Sequence, residues 1–202
     1  MSDPLPSLAQ TTALLRHRRS VKPVDMDRER GVDRELLVQL LENATWAPTH
    51  GLTEPWKFFP FQGTARHRLV EAMQTVYRQT TPEAEFREDK LKKIGENPLL
   101  APVVIACVME RRGGEKIPEV EELAAVACAL QNLMLSATAA GMACYWSSPP
   151  LLGTPQFREW LGIRAEDRCV GLVYLGWPKS GLNWPRSVRQ PVETKIIWPS
   201  DA

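Results

Sequence analysis

Apolar residues recur at helical spacing along six stretches of the chain, and polar residues fill the positions between them. Side chains spaced by three or four residues lie on one face of a helix. The longest stretch is apolar most of the way round and rich in small residues, which is typical of a central or interfacial helix. The pattern predicts helices at residues 8–19, 32–47, 64–79, 82–97, 117–142 and 154–163.

Four shorter stretches, at residues 56–63, 101–110, 143–148 and 168–178, are rich in β-branched and aromatic residues and predict strands. Residues 101–110 are almost continuously apolar, so we expect that strand to be buried on both faces. Pro60 has no amide hydrogen to donate to a neighbouring strand. Its presence in 56–63 predicts an edge strand.

Two segments differ from this core pattern. Residues 82–97 are polar and place Glu and Lys four residues apart, so we expect an exposed helical excursion. The tail, residues 179–202, contains several prolines yet carries Ile196, Ile197 and Trp198 near its end. An apolar segment beyond the core needs a groove to bury it, and we expect that groove on another subunit.

Composition and charge add to this picture only by excluding other classes of protein. The chain has 202 residues, a hydrophobic fraction of 44% and a net charge of +1, which suits a single domain over residues 1–202. Near-zero charge gives no electrostatic footprint for nucleic acid or a membrane surface. Polar residues interrupt the longest apolar helix, and the first ten residues lack the pattern of a signal peptide. We therefore expect a cytoplasmic protein with no membrane span.

The residues that most often bind metals show no ligand spacing. The four cysteines stand singly in apolar segments and form no C-x-x-C pair, so we expect buried, reduced thiols. The three histidines share no spacing with them, and we expect no metal site. Neither glycine-rich phosphate-binding motif is present, so side chains would have to hold any bound anion.

Positive charge does cluster at the end of the first helix, in the run RHRRSVK at residues 16–22. Basic residues there can simply complement the helix dipole. The alternative is an anion site, because Arg18, Arg19, Lys22 and the Ser20 hydroxyl place several donors within one turn, and guanidinium groups match phosphate geometry. A nucleic-acid-binding helix is a third reading, which the net charge and the absence of aromatic stacking motifs disfavour.

The run APTHGLTEPWKFF at residues 47–59 is unusual for a connection, because it holds two prolines and a histidine directly before an aromatic strand. Together with RRSVK, APVVIACV, AAVACALQNLMLSATAAGMACYW, VGLVYLGWP and RQPVE, in this order, it makes the chain resemble the FMN-dependent nitroreductase family, most of all its short, histidine-containing members. The resemblance covers nearly the whole chain.

The resemblance implies an α+β fold with a central, mostly antiparallel sheet surrounded by helices. It also implies a homodimer with domain-swapped C-terminal tails and two FMN sites at the subunit interface. The loop of residues 47–55, here called the covering loop, would reach over the flavin of the other subunit. Trp56 would anchor the end of that loop in the core.

The same resemblance assigns the cofactor contacts. Arg18 and Ser20 match positions that hold the FMN phosphate and ribityl chain, with Arg19 alongside, and Arg189 matches a second phosphate ligand. Lys22 matches the basic residue near the N1 and O2 edge of the flavin, where a fixed cation favours the reduced form. A solvated charge at the helix end is the alternative for Lys22.

Five further positions complete the expected site. Trp146, Ser147 and Ser148 match the segment whose backbone passes the N5 and O4 side of the flavin, and Trp46 and His50 would face the cofactor from the partner chain. Trp146 could instead belong to the core, and His50 could be an exposed loop residue. No residue is expected to act as a catalytic nucleophile or general base.

The chain departs from the family pattern in the covering loop. Where many members have Asn and Gln before Pro-Trp, this chain has Leu52 and Glu54. The implied function is transfer of hydride from NAD(P)H through flavin N5 to a small electron-poor acceptor, such as a nitroaromatic or a quinone. The alternative is a flavin-binding storage or sensor protein without turnover. The natural acceptor, the choice of NADH or NADPH, and reduction as against desaturation stay open at this point.

Overall fold

The computed structural model describes residues 5–199, and within them the chain forms six α-helices. Each lies within one of the six segments that the apolar spacing predicts, or overlaps it closely. The helices are α1 (Leu8–His17), α2 (Arg34–Thr45), α3 (Ala65–Thr80), α4 (Glu88–Leu100), α5 (Glu119–Ala139) and α6 (Pro155–Leu161).

Five strands form one sheet in which every strand ladder is antiparallel. The strands are β1 (Met26–Asp27), β2 (Trp56–Gln62), β3 (Val103–Met109), β4 (Ala143–Ser147) and β5 (Arg168–Pro178). The longest strand, β5, is central: it pairs with β3 along one side and with β4 and then β1 along the other. The short strand β1 has no counterpart in the sequence prediction, because two residues carry no periodicity.

All seven residues of β3 are buried, because helices cover both faces of the sheet. Val103, Ile105 and Cys107 pack into a cluster with α2 and α5. Val104 and Ala106, which point the other way, pack into a second cluster with α3, α4 and α6. Alternate side chains of a strand face opposite sides, so a continuous apolar run serves two cores at once.

Strand β2 pairs only with β3 among the described strands and forms the edge of the sheet, as Pro60 predicts. Its first residue, Trp56, is buried and belongs to the cluster with α2 and α5. The end of the covering loop is therefore attached to the core.

Helix α5 is long and apolar enough to cross a membrane by length and composition alone, and half of that window is buried inside the protein. It packs against β3 and α2, which is the behaviour of a core helix. Its outer face exposes Val120 and Cys128. The expectation of a buried thiol is wrong for Cys128, because that residue lies on the helix face turned away from the sheet.

One other expectation differs from the structure, and the expected groove for the tail on another subunit stays a prediction. The segment from residue 82 to 97 is not an excursion: Leu91 and Ile94 of α4 are buried against α3, so one face of this polar helix completes the second core. In the tail, residues 179–199 contain one short 3-10 turn (Val192–Lys195) and leave Ile197 and Trp198 exposed. The single-domain expectation spans 1–202, and its first four and last three residues lie outside the described part of the chain.

Candidate functional site

The segment that follows α1 lies beside strand β4. Ser20 pairs with Cys144 in an isolated parallel bridge, and the Val21 amide donates to the Cys144 carbonyl at 2.9 Å. Val21 is fully buried, whereas Ser20 and Lys22 are exposed. The alternation shows that the segment is extended here, so Ser20 and Lys22 point to the same, open side.

Helix α1 ends at His17, so Arg18 and Arg19 are the first residues of this segment. Arg18 leaves the helix with an extended ψ of 127°, while its amide still donates to Leu14. The Arg19 Nη1 donates to the Arg18 carbonyl at 2.6 Å, but its Nε is buried and has no partner among the described residues. A buried guanidinium N–H without an acceptor is rare, and an anionic oxygen would satisfy it. The donor set therefore suits a phosphate group.

The last residues of β4 continue this edge. The Trp146 ring packs against the core, and its Nε1 donates to the Val170 carbonyl at 3.4 Å. Gly171 makes room for the ring, since a Cβ there would come within 2.1 Å of the indole nitrogen. The side chain of Trp146 therefore contributes to the packing of the core. Ser147 is half-buried and Ser148 is exposed, and their backbone follows β4 out of the sheet.

Cys144 lies under this edge but is not a nucleophile. Burial raises the pKa of its thiol to about 11, and the nearby positive charge of Arg18 opposes that rise only in part. The thiol is neutral at physiological pH and therefore unreactive.

The covering loop is held in an uncommon backbone conformation. Gly51, Leu52 and Glu54 all have positive φ, at 60°, 54° and 45°. The Thr49 hydroxyl lies 3.1 Å from the Thr53 hydroxyl and accepts a hydrogen bond from the Glu54 amide at 3.3 Å. Positive φ in residues other than glycine is uncommon and costs free energy, so these contacts are needed to keep the loop in place.

The loop is also attached to the start of α5 in its own protomer. His50 Nδ1 lies 2.5 Å from Glu121 Oε2, and both side chains are about half exposed. At the far end of the loop, the Glu110 amide donates to the Pro55 carbonyl at 2.7 Å. Just before the loop, Trp46 is 81% exposed and has no protein surface over it. Within the described residues, neither Trp46 nor His50 makes a hydrogen bond or ion pair with Arg18.

Arg189 makes no hydrogen bond to the basic segment within the described residues. Within the described chain it hydrogen-bonds only Ser187 and the Val188 carbonyl, in the exposed tail. The root of the tail is nonetheless close to α1, because Trp184 stacks on His17 with ring centroids 5.1 Å apart and donates to the His17 carbonyl. Sequence reasoning missed this stacking, since the two residues lie at opposite ends of the chain.

A buried polar network, also missed from the sequence, fixes the segment between β3 and α5. Glu122 is 1% exposed and accepts bonds from the Arg111 guanidinium and the Gly113 amide. Burial alone would raise the pKa of Asp167, but hydrogen bonds from Arg164 and from the Arg111 amide hold it below its ordinary value. The only signal in the sequence is an acidic residue directly before an apolar helical run.

Other parts of the described structure are weaker candidates for the functional site than the edge of β4. Within residues 5–199, no set of three or more His, Cys, Asp or Glu side chains gathers closely enough to hold a metal ion. A cavity of about 530 Å³ lies between α3 and α6, lined by Arg68, Glu71 and Trp160. None of the residues that line this cavity belongs to the basic segment 18–22 or to β4.

Known proteins match this chain over most of its length. A profile of the nitroreductase family matches residues 15–177. Among curated proteins, the candidate NAD(P)H nitroreductase YdjA of Escherichia coli is 30% identical over 163 residues, which is 81% of this chain and 86% of YdjA. A solved nitroreductase-like family protein from Bacillus cereus superposes with a TM-score of 0.80 at 28% identity, over 98% of this chain and 100% of that one.

A more distant structure shares the fold. The FMN-dependent nitroreductase NfnB from Mycobacterium smegmatis, solved in complex with NADPH, superposes with a TM-score of 0.71 at 20% identity. The match covers 96% of this chain and 100% of NfnB. Together with the family match, it confirms the α+β nitroreductase-like fold expected from the order of the sequence motifs.

Proposed function

Because the chain belongs to the nitroreductase family, we propose that it is an FMN-dependent oxidoreductase. It takes hydride from NAD(P)H and passes electrons to a small electron-poor acceptor such as a nitroaromatic or a quinone. Solved relatives of the same fold are described as FMN-dependent and NADPH-bound, which supports the choice of cofactor and donor.

One observation carries the proposal: the basic segment lies along the open edge of β4. The Ser20–Cys144 bridge brings Arg18, Ser20 and Lys22 next to the strand that leads to Ser147 and Ser148. The unpartnered Arg19 Nε adds a buried donor at the same place. A phosphate at the arginines and a ring near the end of β4 would use every one of these groups.

FMN, when bound, would supply the redox chemistry, and the residues of the chain bind and orient it. Arg18 and Arg19 would hold the phosphate by charge-assisted hydrogen bonds. Ser20 would donate to the ribityl chain. Lys22, on the same side as Ser20, would place a fixed positive charge near the ring and favour its reduced, more negative state.

We further propose that the site is completed by a second copy of the chain. No residue of α1 is buried in the single protomer, and Trp46, Ile197 and Trp198 are largely exposed. A second copy would cover α1 and the apolar residues of the tail, and it would bring its Trp46, His50 and Arg189 to the edge of β4. The tail and the covering loop would then have the roles that the family resemblance implies.

The test is a spectrum followed by turnover. Purified protein should be yellow and release FMN on denaturation, and NAD(P)H should bleach the bound flavin under anaerobic conditions. Addition of a nitroaromatic or quinone should restore the colour repeatedly. Protein that binds no flavin contradicts the proposal, and protein that binds FMN but never consumes an acceptor supports a storage or sensing role instead.

A further inference from the structure

A pocket of about 380 Å³ lies between the C-terminal end of α2 and the covering loop. Trp46, Leu52 and Trp56 line it as its large apolar residues. Trp56 is fixed in the core, whereas Trp46 and Leu52 are each more than four-fifths exposed. The pocket is therefore built from aromatic surface, with one rigid side and one side open to an incoming molecule.

The charged lining of this pocket is acidic. Glu42 and Glu54 both line it, no Lys or Arg does, and no ion pair among residues 5–199 uses either carboxylate. Helix α2 ends at Thr45, which is also in the lining, so the negative end of the helix dipole lies at the pocket. The two carboxylates and the helix dipole both make the pocket negative, so they favour a positively charged ligand inside it.

The backbone of the covering loop fixes two of these residues in place. Leu52 and Glu54 adopt positive φ although neither is glycine, and the Thr49 hydroxyl accepts the Glu54 amide. Backbone strain of this kind persists only where surrounding contacts hold it, and it concentrates at binding and catalytic sites. The strained loop thus presents one apolar and one acidic side chain to the same pocket.

We propose that this pocket selects the electron acceptor and prefers planar aromatic acceptors that carry a positive charge over anionic ones. A cation is attracted both by the faces of tryptophan rings and by nearby carboxylates. An anionic aromatic compound of the same shape fits the apolar walls but is repelled by Glu42 and Glu54. This inference rests on the proposed function, because the chain needs an acceptor only if it is an oxidoreductase.

The experiment compares three nitrophenyl compounds that differ in charge: 4-nitrobenzyltrimethylammonium, 4-nitrobenzyl alcohol and 4-nitrobenzoate. Their binding to the full-length oxidised protein is measured by calorimetric titration without NAD(P)H, so no turnover is needed. We expect the cation to bind at least about tenfold more tightly than the benzoate, a difference of about 1.4 kcal/mol. The neutral alcohol should fall between them.

Glu54→Gln and Glu42→Gln are the diagnostic variants, and Glu88→Gln, at an exposed position of α4, is the matched control. Each diagnostic variant should reduce the cation-to-benzoate preference by about threefold or more and leave the neutral alcohol unchanged. Both replace one carboxylate by an amide of the same size at exposed positions, so the fold should persist, and a circular dichroism spectrum checks this.

Three results would overturn the inference: equal affinity for all three compounds, a Glu54→Gln effect that is the same for all three, or an effect of the same size in Glu88→Gln. Failure of the proposed function is separate, because it would appear as absent FMN or absent bleaching by NAD(P)H. As a second readout, the rate of flavin reoxidation by each compound after reduction should follow the same order of charge.

Discussion

Ser20 and Cys144 are paired in a parallel bridge at the edge of the sheet, although they lie far apart in the sequence. This one pairing places the basic residues that follow α1 beside β4, where their side chains can donate hydrogen bonds. Because the bridge is made by backbone atoms, it keeps Arg18, Ser20 and Lys22 in register with the strand whatever their side chains do. The first two predictions follow from that placement.

Replacing Arg18 or Arg19 by Ala should weaken FMN binding by about 2–4 kcal/mol, the range for removing one partner of a buried charge-assisted pair. Arg189→Ala should have the same effect if the partner tail completes the site. The measurement is a titration of apoprotein with FMN followed by quenching of flavin fluorescence.

Riboflavin, which lacks the phosphate, should bind the wild type and these variants about equally. Arg16→Ala is the matched control, because Arg16 lies in the exposed last turn of α1 and should not alter FMN affinity. Unchanged FMN affinity in all three diagnostic variants would contradict the phosphate assignment.

Lys22→Met keeps the length of the side chain and removes its charge. FMN should still bind, but its two-electron potential should fall, because a cation interacts more favourably with reduced than with oxidised flavin. A loss of about 1.4 kcal/mol of differential stabilisation corresponds to about 30 mV. The measurement is a redox titration of the bound flavin, with Lys92→Met, at an exposed position of α4, as the control variant. A wild-type potential in Lys22→Met would mean that Lys22 is only a solvated charge.

Gly171→Ala should destabilise the protein by about 1–3 kcal/mol, the usual cost of overpacking. The added Cβ would meet the Trp146 indole at 2.1 Å and the Ser147 carbonyl at 3.0 Å, so the end of β4 has to move. Gly153→Ala is the control, since a Cβ there meets nothing within 4 Å. Urea unfolding gives both free energies. Equal stabilities of the two variants would show that the ring does not lie over Gly171.

Asp167→Asn should lower the free energy of unfolding by about 1.5–3 kcal/mol at neutral pH, the range for hydrogen bonds to a charged group. The folded-state pKa of Asp167 is below its unfolded value of about 4, so the unfolded state binds the proton more readily. The stabilisation is therefore present above about pH 4 and is lost as the pH falls through the folded-state pKa.

The measurement for Asp167 is urea unfolding of both proteins from pH 7 down to pH 3. The gap in unfolding free energy should be constant above about pH 5 and should shrink below about pH 4. Asp33→Asn, at an exposed position that makes no side-chain capping bond, is the control. A gap that widens in acid would have the wrong sign for a depressed pKa.

Truncation of the chain after Arg189 should cause dissociation of the dimer or aggregation, because it removes Ile196, Ile197 and Trp198 and uncovers the surface they are proposed to fill. A chain that ends at Trp198 keeps these residues and is the control. Light scattering coupled to gel filtration measures the mass of both. A soluble, FMN-loaded monomer from the shorter chain would contradict the swapped-tail dimer.

Local patterns in the sequence were sufficient for most of the fold. The apolar runs located the six helices and the four long strands, Pro60 identified the edge strand, and the order of the motifs indicated the family. These features depend on neighbouring residues and on the fixed periods of helix and strand, which every short stretch of sequence records. Short β1 was missed because two residues are too few to show a period.

Only the tertiary structure decided how the residues of the candidate site are arranged. The Ser20–Cys144 bridge, the stacking of Trp184 on His17 and the burial of Glu122 join residues that are distant in sequence. The exposure of Cys128 and the burial of Leu91 depend on which face of a helix meets the sheet or another helix. Neither kind of contact leaves a local pattern, because it is set by how whole elements pack, and a side chain is exposed or buried only once its neighbours are in place.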